Sequence, residues 1–191
     1  MVVKGKSAAP GVIVGSIYIY NKKFTIPKES FLKEEDTQKE LDRYNDIKDL
    51  AKIELEELKF SLQKIDPIKA EIFSAHQEIV DDITINDEIP ARIQNDLWSG
   101  DYAIFQVYQT VITVLRQTLD PLISERAEDF DDVRALLLRL WHGEINEGLS
   151  EIRDPVIIAA HDLKPSDTVS LDKIRFWQFL RRLEVLPHIQ R

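Results

Sequence analysis

The sequence predicts an α+β fold in which a helical hairpin bundle is inserted into a small α/β subdomain that is split along the chain. β-rich apolar segments stand near both ends, Ser16-Ile-Tyr-Ile-Tyr20 and Val156-Ile-Ile-Ala-Ala160. Between them, apolar residues recur at helical spacing. Asp-Pro and Gly-Asp pairs punctuate that middle into helices joined by short turns, which makes neighbours antiparallel.

Residues 2–20 read as extended structure, with small residues and a Pro-Gly turn ahead of the first strand, and 21–27 as a connector. From about Phe31 the period changes. Leu41, Tyr44, Ile47, Leu50, Leu55, Leu58 and Leu62 mark a long amphipathic helix. Asp66-Pro67 restarts a helix, with Asp as N-cap and Pro in the first turn. Ile68, Ile72, Phe73, His76, Ile79 and Val80 form its apolar side. A shorter helix is expected over 86–97. Gly100-Asp101 ends it and caps the next, 102–119, with Phe105, Tyr108, Ile112 and Leu115 in phase. Asp120-Pro121 opens the last helix, expected to run to about 142–143. A short apolar strand at 154–160 follows, then a turn at 163–168 in which Ser166 caps a short helix.

The chain has 191 residues, enough for one large domain or two small ones with a core. At 43% hydrophobic and 31% charged it suits a folded, water-facing protein. No apolar run approaches the roughly 20 residues of a membrane span. Met1-Val-Val-Lys-Gly5 lacks the apolar region of a signal peptide. Cysteine is absent, which removes disulfides and thiolate metal sites and makes the cytoplasm the default setting. The net charge of −9 disfavours nucleic acid and anionic membranes as partners. It favours a basic partner if the acid gathers on one face.

Few residues suggest chemistry on their own. Lys69, Phe73, His76 and Val80 share one stripe of a helix, where a lone His is more often a core residue than a reactive one. Glu125, Asp129 and Asp132 with Arg126 make a dense cluster that reads as a solvated face with intrahelical pairs. There is no metal-site spacing and no Gly-rich phosphate loop.

Four segments in order carry a resemblance: Ser7-Ala-Ala-Pro-Gly-Val-Ile-Val-Gly15, Ala70-Glu-Ile-Phe-Ser-Ala-His76, Glu125-Arg-Ala-Glu-Asp129, and Val156-Ile-Ile-Ala-Ala-His-Asp-Leu-Lys-Pro-Ser-Asp-Thr168. Over 2–173 the chain resembles the N-terminal half of enzyme I of the bacterial sugar phosphotransferase system, the phosphoenolpyruvate–protein phosphotransferases. The resemblance implies a phosphohistidine α/β subdomain built from both ends of the chain, 1–27 and 148–173, and a helical subdomain, 28–147, that docks the histidine-containing phosphocarrier protein, HPr. It implies docking residues Lys69, Glu71, Ser74, Glu78, Ile79, Asp82 and Ile83, with Arg126 at the same interface. Thr168 matches a hydroxyl position that faces the active His. Glu78-Ile-Val80 stands where several members carry Met-Leu-Leu, a departure that bears on how apolar the docking face is. The family's phosphoenolpyruvate- and magnesium-binding barrel, through which it dimerises, has no counterpart here, so a monomer without a cofactor is expected. Rival readings are a fragment of a nitrogen-regulatory paralogue, whose sensory domain would precede Met1, and a non-catalytic helical adaptor.

Residues 174–191 change character and are read as an out-of-frame tail. With the frame shifted so that each codon takes the last base of one residue and the first two of the next, Phe176/Trp177 must encode Leu, Trp177/Gln178 Ala, and Gln178/Phe179 Ile or Val. The junctions from Leu183/Glu184 to Gln190/Arg191 permit Gly-Gly-Ser-Thr-Ser-His-Thr-Ala. The family's next segment is a strand followed by Gly-Gly-x-Thr-Ser-His-Thr, whose His is phosphorylated. His188, between Pro187 and Ile189, is not that residue. The chain alone is therefore expected to bind HPr without catalysing phosphotransfer.

Overall fold

The computed structural model describes residues 14–20, 26–144, 149, 152, 154, 156–160 and 167. The expectations that fall on 2–13, 163–166, Thr168 and the tail at 174–191 lie outside the described residues. The chain divides into two compact units, one formed by Met1–Lys23 with Glu147–Arg191 and the other by Phe24–Asn146.

The larger unit is helical. A single 3₁₀ turn, Glu34–Asp36, leads into α1, Thr37–Gln63. Leu41, Tyr44, Ile47, Ala51 and Leu55 recur at three- and four-residue steps and are the side chains α1 buries. Helix α2, Pro67–Val80, starts where the sequence places it: Asp66 Oδ1 accepts from the Lys69 amide at 3.1 Å and Pro67 occupies the first turn. Its first-turn amide, followed by the Lys69 side chain, holds the Asp66 carboxyl below the usual range. Helix α3, Ile83–Asn95, begins earlier than the expected 86–97. The reason is a cap: Asp82 Oδ1 accepts from the Ile85 amide at 3.0 Å.

Helix α4, Gly100–Gln117, also begins earlier than expected. Gly100 lies inside its first turn, and its amide donates to Glu40 Oε1 of α1 at 2.8 Å. Helix α5, Pro121–Trp141, opens with Asp120 Oδ1 accepting from the Leu122 amide at 2.9 Å. It stops near Gly143, whose φ of +64° is the left-handed geometry that favours glycine after a helix.

Helices α1 and α2 form one hairpin and α4 and α5 another; α5 also packs against α1 and α2, and α3 against α4. The core between them holds Tyr44, Phe73, Ile93, Ile104, Tyr108 and Leu137. Polar joints sit at its edge. Arg139 of α5 reaches both carboxylate oxygens of Glu54 on α1. The Arg43 guanidinium lies 4.3 Å from the Trp141 ring centroid and donates to the Trp141 carbonyl at 2.6 Å. Asn86 Oδ1 accepts from Tyr44 Oη at 3.0 Å and from Lys48 Nζ at 2.7 Å.

In the smaller unit, β1, Ile17–Tyr20, pairs in parallel with β2, Ile157–Ala160, in the register Ile17 with Ile157 through Tyr20 with Ala160. Leu149, Ile158 and Ala160 are buried against Tyr20, Ile152 and Val156. Tyr20 Oη donates to Asp167 Oδ1 at 2.8 Å. The β-rich segment 16–20 gives β1, and β2 occupies the last four residues of the run expected at 154–160. Among the described residues, no helix is long and apolar enough to cross a membrane.

Candidate docking site

The candidate residues fall on α2, on the start of α3 and on α5, all in the helical unit. On α2, Lys69 and Glu71 are exposed in the first turns. Lys69 Nζ lies 3.2 Å from Asp66 Oδ2, so the helix cap holds the ammonium near the turn. Ser74 Oγ donates to Glu71 Oε2 at 3.2 Å. Glu78 is exposed one turn further on, whereas Ile79 and Val80 turn inward and are buried. The segment Glu78-Ile-Val80 thus presents a carboxylate at the surface and places its two apolar side chains in the core.

Asp82 is half-buried and serves as the α3 cap. Ile83, directly after it, is 78% exposed. On α5, Arg126 is exposed and makes no ion pair with a described residue. Glu125 and Glu128 flank it at the surface, while the neighbouring Ala127 is fully buried.

The two helices meet where the sequence reading expects only a core histidine. His76 of α2 is buried, and its Nε2 lies 3.5 Å from Asp129 Oδ1 of α5. Sequence alone places Asp129 in a solvated cluster, because nothing in its spacing says which helix it meets. Of the stripe Lys69, Phe73, His76, Val80, the last three are buried and Lys69 is exposed. A second link is the Gln77 amide, which donates to Glu56 Oε2 of α1 at 3.0 Å. Thr168 lies outside the described residues; its neighbour Asp167 is fully buried and accepts from Tyr20.

Among the described residues, no group of three or more His, Asp or Glu side chains is arranged to hold a metal ion. The geometry offers a surface of mixed charge on two adjacent helices.

Comparison with known proteins agrees with that architecture. Residues 4–126 match the family described as PEP-utilising enzyme, N-terminal. The chain belongs to that family. Phosphoenolpyruvate-protein phosphotransferase of Mycoplasma capricolum subsp. capricolum is 33% identical over 174 residues, 90% of this chain and 30% of the relative. The Bacillus subtilis protein of the same name is 28% identical over 173 residues, again 90% and 30%. The chain thus spans about 30% of the length of these relatives. A solution structure of enzyme I (nEIt) superposes with a TM-score of 0.73 at 28% identity, covering 90% of this chain and 70% of that one. The N-terminal domain of Enzyme 1 - Nitrogen gives 0.64 at 14% identity, covering 97% and 83%, a likeness of fold alone. Within the PEP-utilising family, the chain is an enzyme I N-terminal domain fragment.

Proposed function

We propose that this enzyme I N-terminal domain docks HPr through its helical unit, as the part of a phosphoenolpyruvate–protein phosphotransferase that hands a phosphoryl group to the carrier. In this reading the helical unit is an insert, and 1–27 with 148–173 form the phosphohistidine subdomain. The observation that carries the reading is the adjacency of α2 and α5. It brings the helix with exposed Lys69, Glu71 and Glu78 against the helix with exposed Arg126, and Ile83, just after α2, is exposed as well. A carrier with a basic, apolar-rimmed face would complement that surface, and charge complementarity of this kind acts first on the association rate.

Ser74, Ile79 and Asp82 belong to the same segment with different parts to play. Ser74 orders Glu71, Ile79 seats the helix on the core, and Asp82 starts α3 under Ile83. In this reading magnesium belongs to a further domain of the whole protein. Sugar uptake, the cytoplasmic setting and dimerisation through a further domain belong to the whole protein in this reading. The chain itself is proposed to be a monomeric binding module, with Thr168 in the segment that would face a phosphohistidine.

An NMR titration of the ¹⁵N-labelled chain with HPr tests the assignment. Shifts concentrated on α2, the first turn of α3 and α5 are expected. No shift in those helices at millimolar carrier would reject it.

A further inference from the structure

His76 is 4% exposed, and its Nε2 is buried without a hydrogen-bond partner. A buried polar hydrogen or lone pair left unmatched carries its full desolvation penalty, so the group in front of it matters. That group is the carboxylate of Asp129, 3.5 Å away on α5, slightly beyond hydrogen-bond length. The Phe73 ring meets the imidazole edge-on, with centroids 6.0 Å apart. A bare nitrogen lone pair facing a carboxylate is repulsive, whereas an N–H facing it is a donor.

The helices packed against α2 are α1 and α5. From α5 the charged groups are Asp129, with Glu125, Arg126, Glu128, Asp131 and Asp132 within a turn of it; Glu128 pairs with Arg116 and Asp131 with Arg134. From α1, Lys52 is paired with Asp81, Glu56 accepts from Gln77, and Glu54 is held by Arg139. Lys52, Arg134 and Arg139 are therefore committed elsewhere, and Arg126 is exposed. The carboxylate of Asp129 is left to the imidazole.

We propose that His76 is a positioning residue for docking: it carries its proton on Nε2, donates it to Asp129, and so fixes the spacing between the two helical hairpins. This rests on the docking reading above, because α2 and α5 are the helices that carry the candidate contact residues. Each hairpin is held internally by its own apolar seam, whereas the His76–Asp129 contact joins one hairpin to the other.

Imidazole ¹⁵N spectra of the whole chain read the proton directly. The Nε2–H form is expected for His76, and Asp129→Ala should change its signal; a clean Nδ1–H form overturns the proposal. Two substitutions separate hydrogen bonding from space filling. His76→Gln keeps a donor near Nε2, and His76→Leu keeps apolar volume without one. With folding checked by circular dichroism, HPr affinity should stay within about threefold for Gln and fall about tenfold for Leu and for Asp129→Ala, the size expected for one hydrogen bond to a charged group. Leu binding as well as the unsubstituted chain, or Gln binding as poorly as Leu, overturns the positioning role. If the unsubstituted chain shows no HPr-induced shift, the docking reading falls and the positioning role with it, while the tautomer spectrum still decides the hydrogen bond on its own.

Discussion

Gly100 lies directly under the indole of Trp141: a methyl group added at Gly100 would overlap Trp141 Cη2 and stand 2.6 Å from Cζ2. Helices α4 and α5 approach each other there because one side chain is missing. The Trp141 ring is covered on another side by Arg43, so it has little freedom to withdraw.

Gly100→Ala should therefore destabilise the helical unit by about 3 kcal/mol, the upper end for overpacking. Urea unfolding would measure it. Adding Trp141→Phe should recover part of the loss, because the smaller ring vacates the clash. A double-mutant cycle with no coupling would mean that the helices shift freely at this contact.

Arg139→Ala should cost about 3 kcal/mol, because it leaves the Glu54 carboxylate part-buried beside α5 without the guanidinium nitrogen that reaches both its oxygens. Replacing both residues with apolar ones of similar size should cost less than the single change. Thermal unfolding of the three variants checks the order. Equal losses would show that solvent already screens the pair.

Tyr44 and Tyr108 are pushed above the ordinary phenol value of 10.0 by burial, and Tyr20 by burial and then by its hydrogen bond to Asp167. Their folded-state values are raised. The stability they contribute is thus complete below about pH 10 and is lost as pH rises through and beyond it. Phenolate absorbance should show these three ionising only in strong alkali, together with unfolding. Tyr44→Phe should reduce the alkaline loss, at a cost near neutrality of about 1 kcal/mol for the bond to Asn86.

Charge reversal at Glu71 should weaken HPr binding mainly through the association rate, and the effect should shrink as salt is added; charge reversal at Arg126 should weaken binding through lost contact rather than through steering. Stopped-flow association at several ionic strengths would measure both. A salt-independent rate would argue against this mixed-charge face. The chain should also take up no acid-labile phosphate from phosphoenolpyruvate with magnesium and HPr present. Phosphate on either protein would show that a competent histidine exists here.

The sequence was most informative where a single residue does one local job. Asp66-Pro67 and Asp120-Pro121 announce helix starts because an Asp cap and a first-turn proline act within one turn of chain. The helical stripe of α1 was readable for the same reason, since its period reports the buried face. Asp82 was harder. The resemblance marks it as a docking residue, and its role as a cap is masked because Ile83, Thr84 and Ile85, which open the helix, are β-branched and poor helix signals. Gly100 read as a stop because glycine usually ends helices, and the reason it sits inside one is Trp141, far along the chain. His76 was legible as buried but its partner was not, because the pairing of one hairpin with the other leaves no local period.

The bond from Tyr20 to Asp167 joins positions 147 apart in sequence, and β1 and β2 pair across nearly the same span. Closing so long a loop from an open chain is entropically costly, and each doubling of length adds about 0.6 kcal/mol. The helical unit between them is made of neighbouring hairpins with local contacts, which form quickly. Once it has collapsed, the free chain that the strands must close is much shorter. Assembly is then expected to have a direction, helices first and strands last. A substitution that slows the hairpins delays the sheet as well, while one in the sheet leaves the hairpins on schedule.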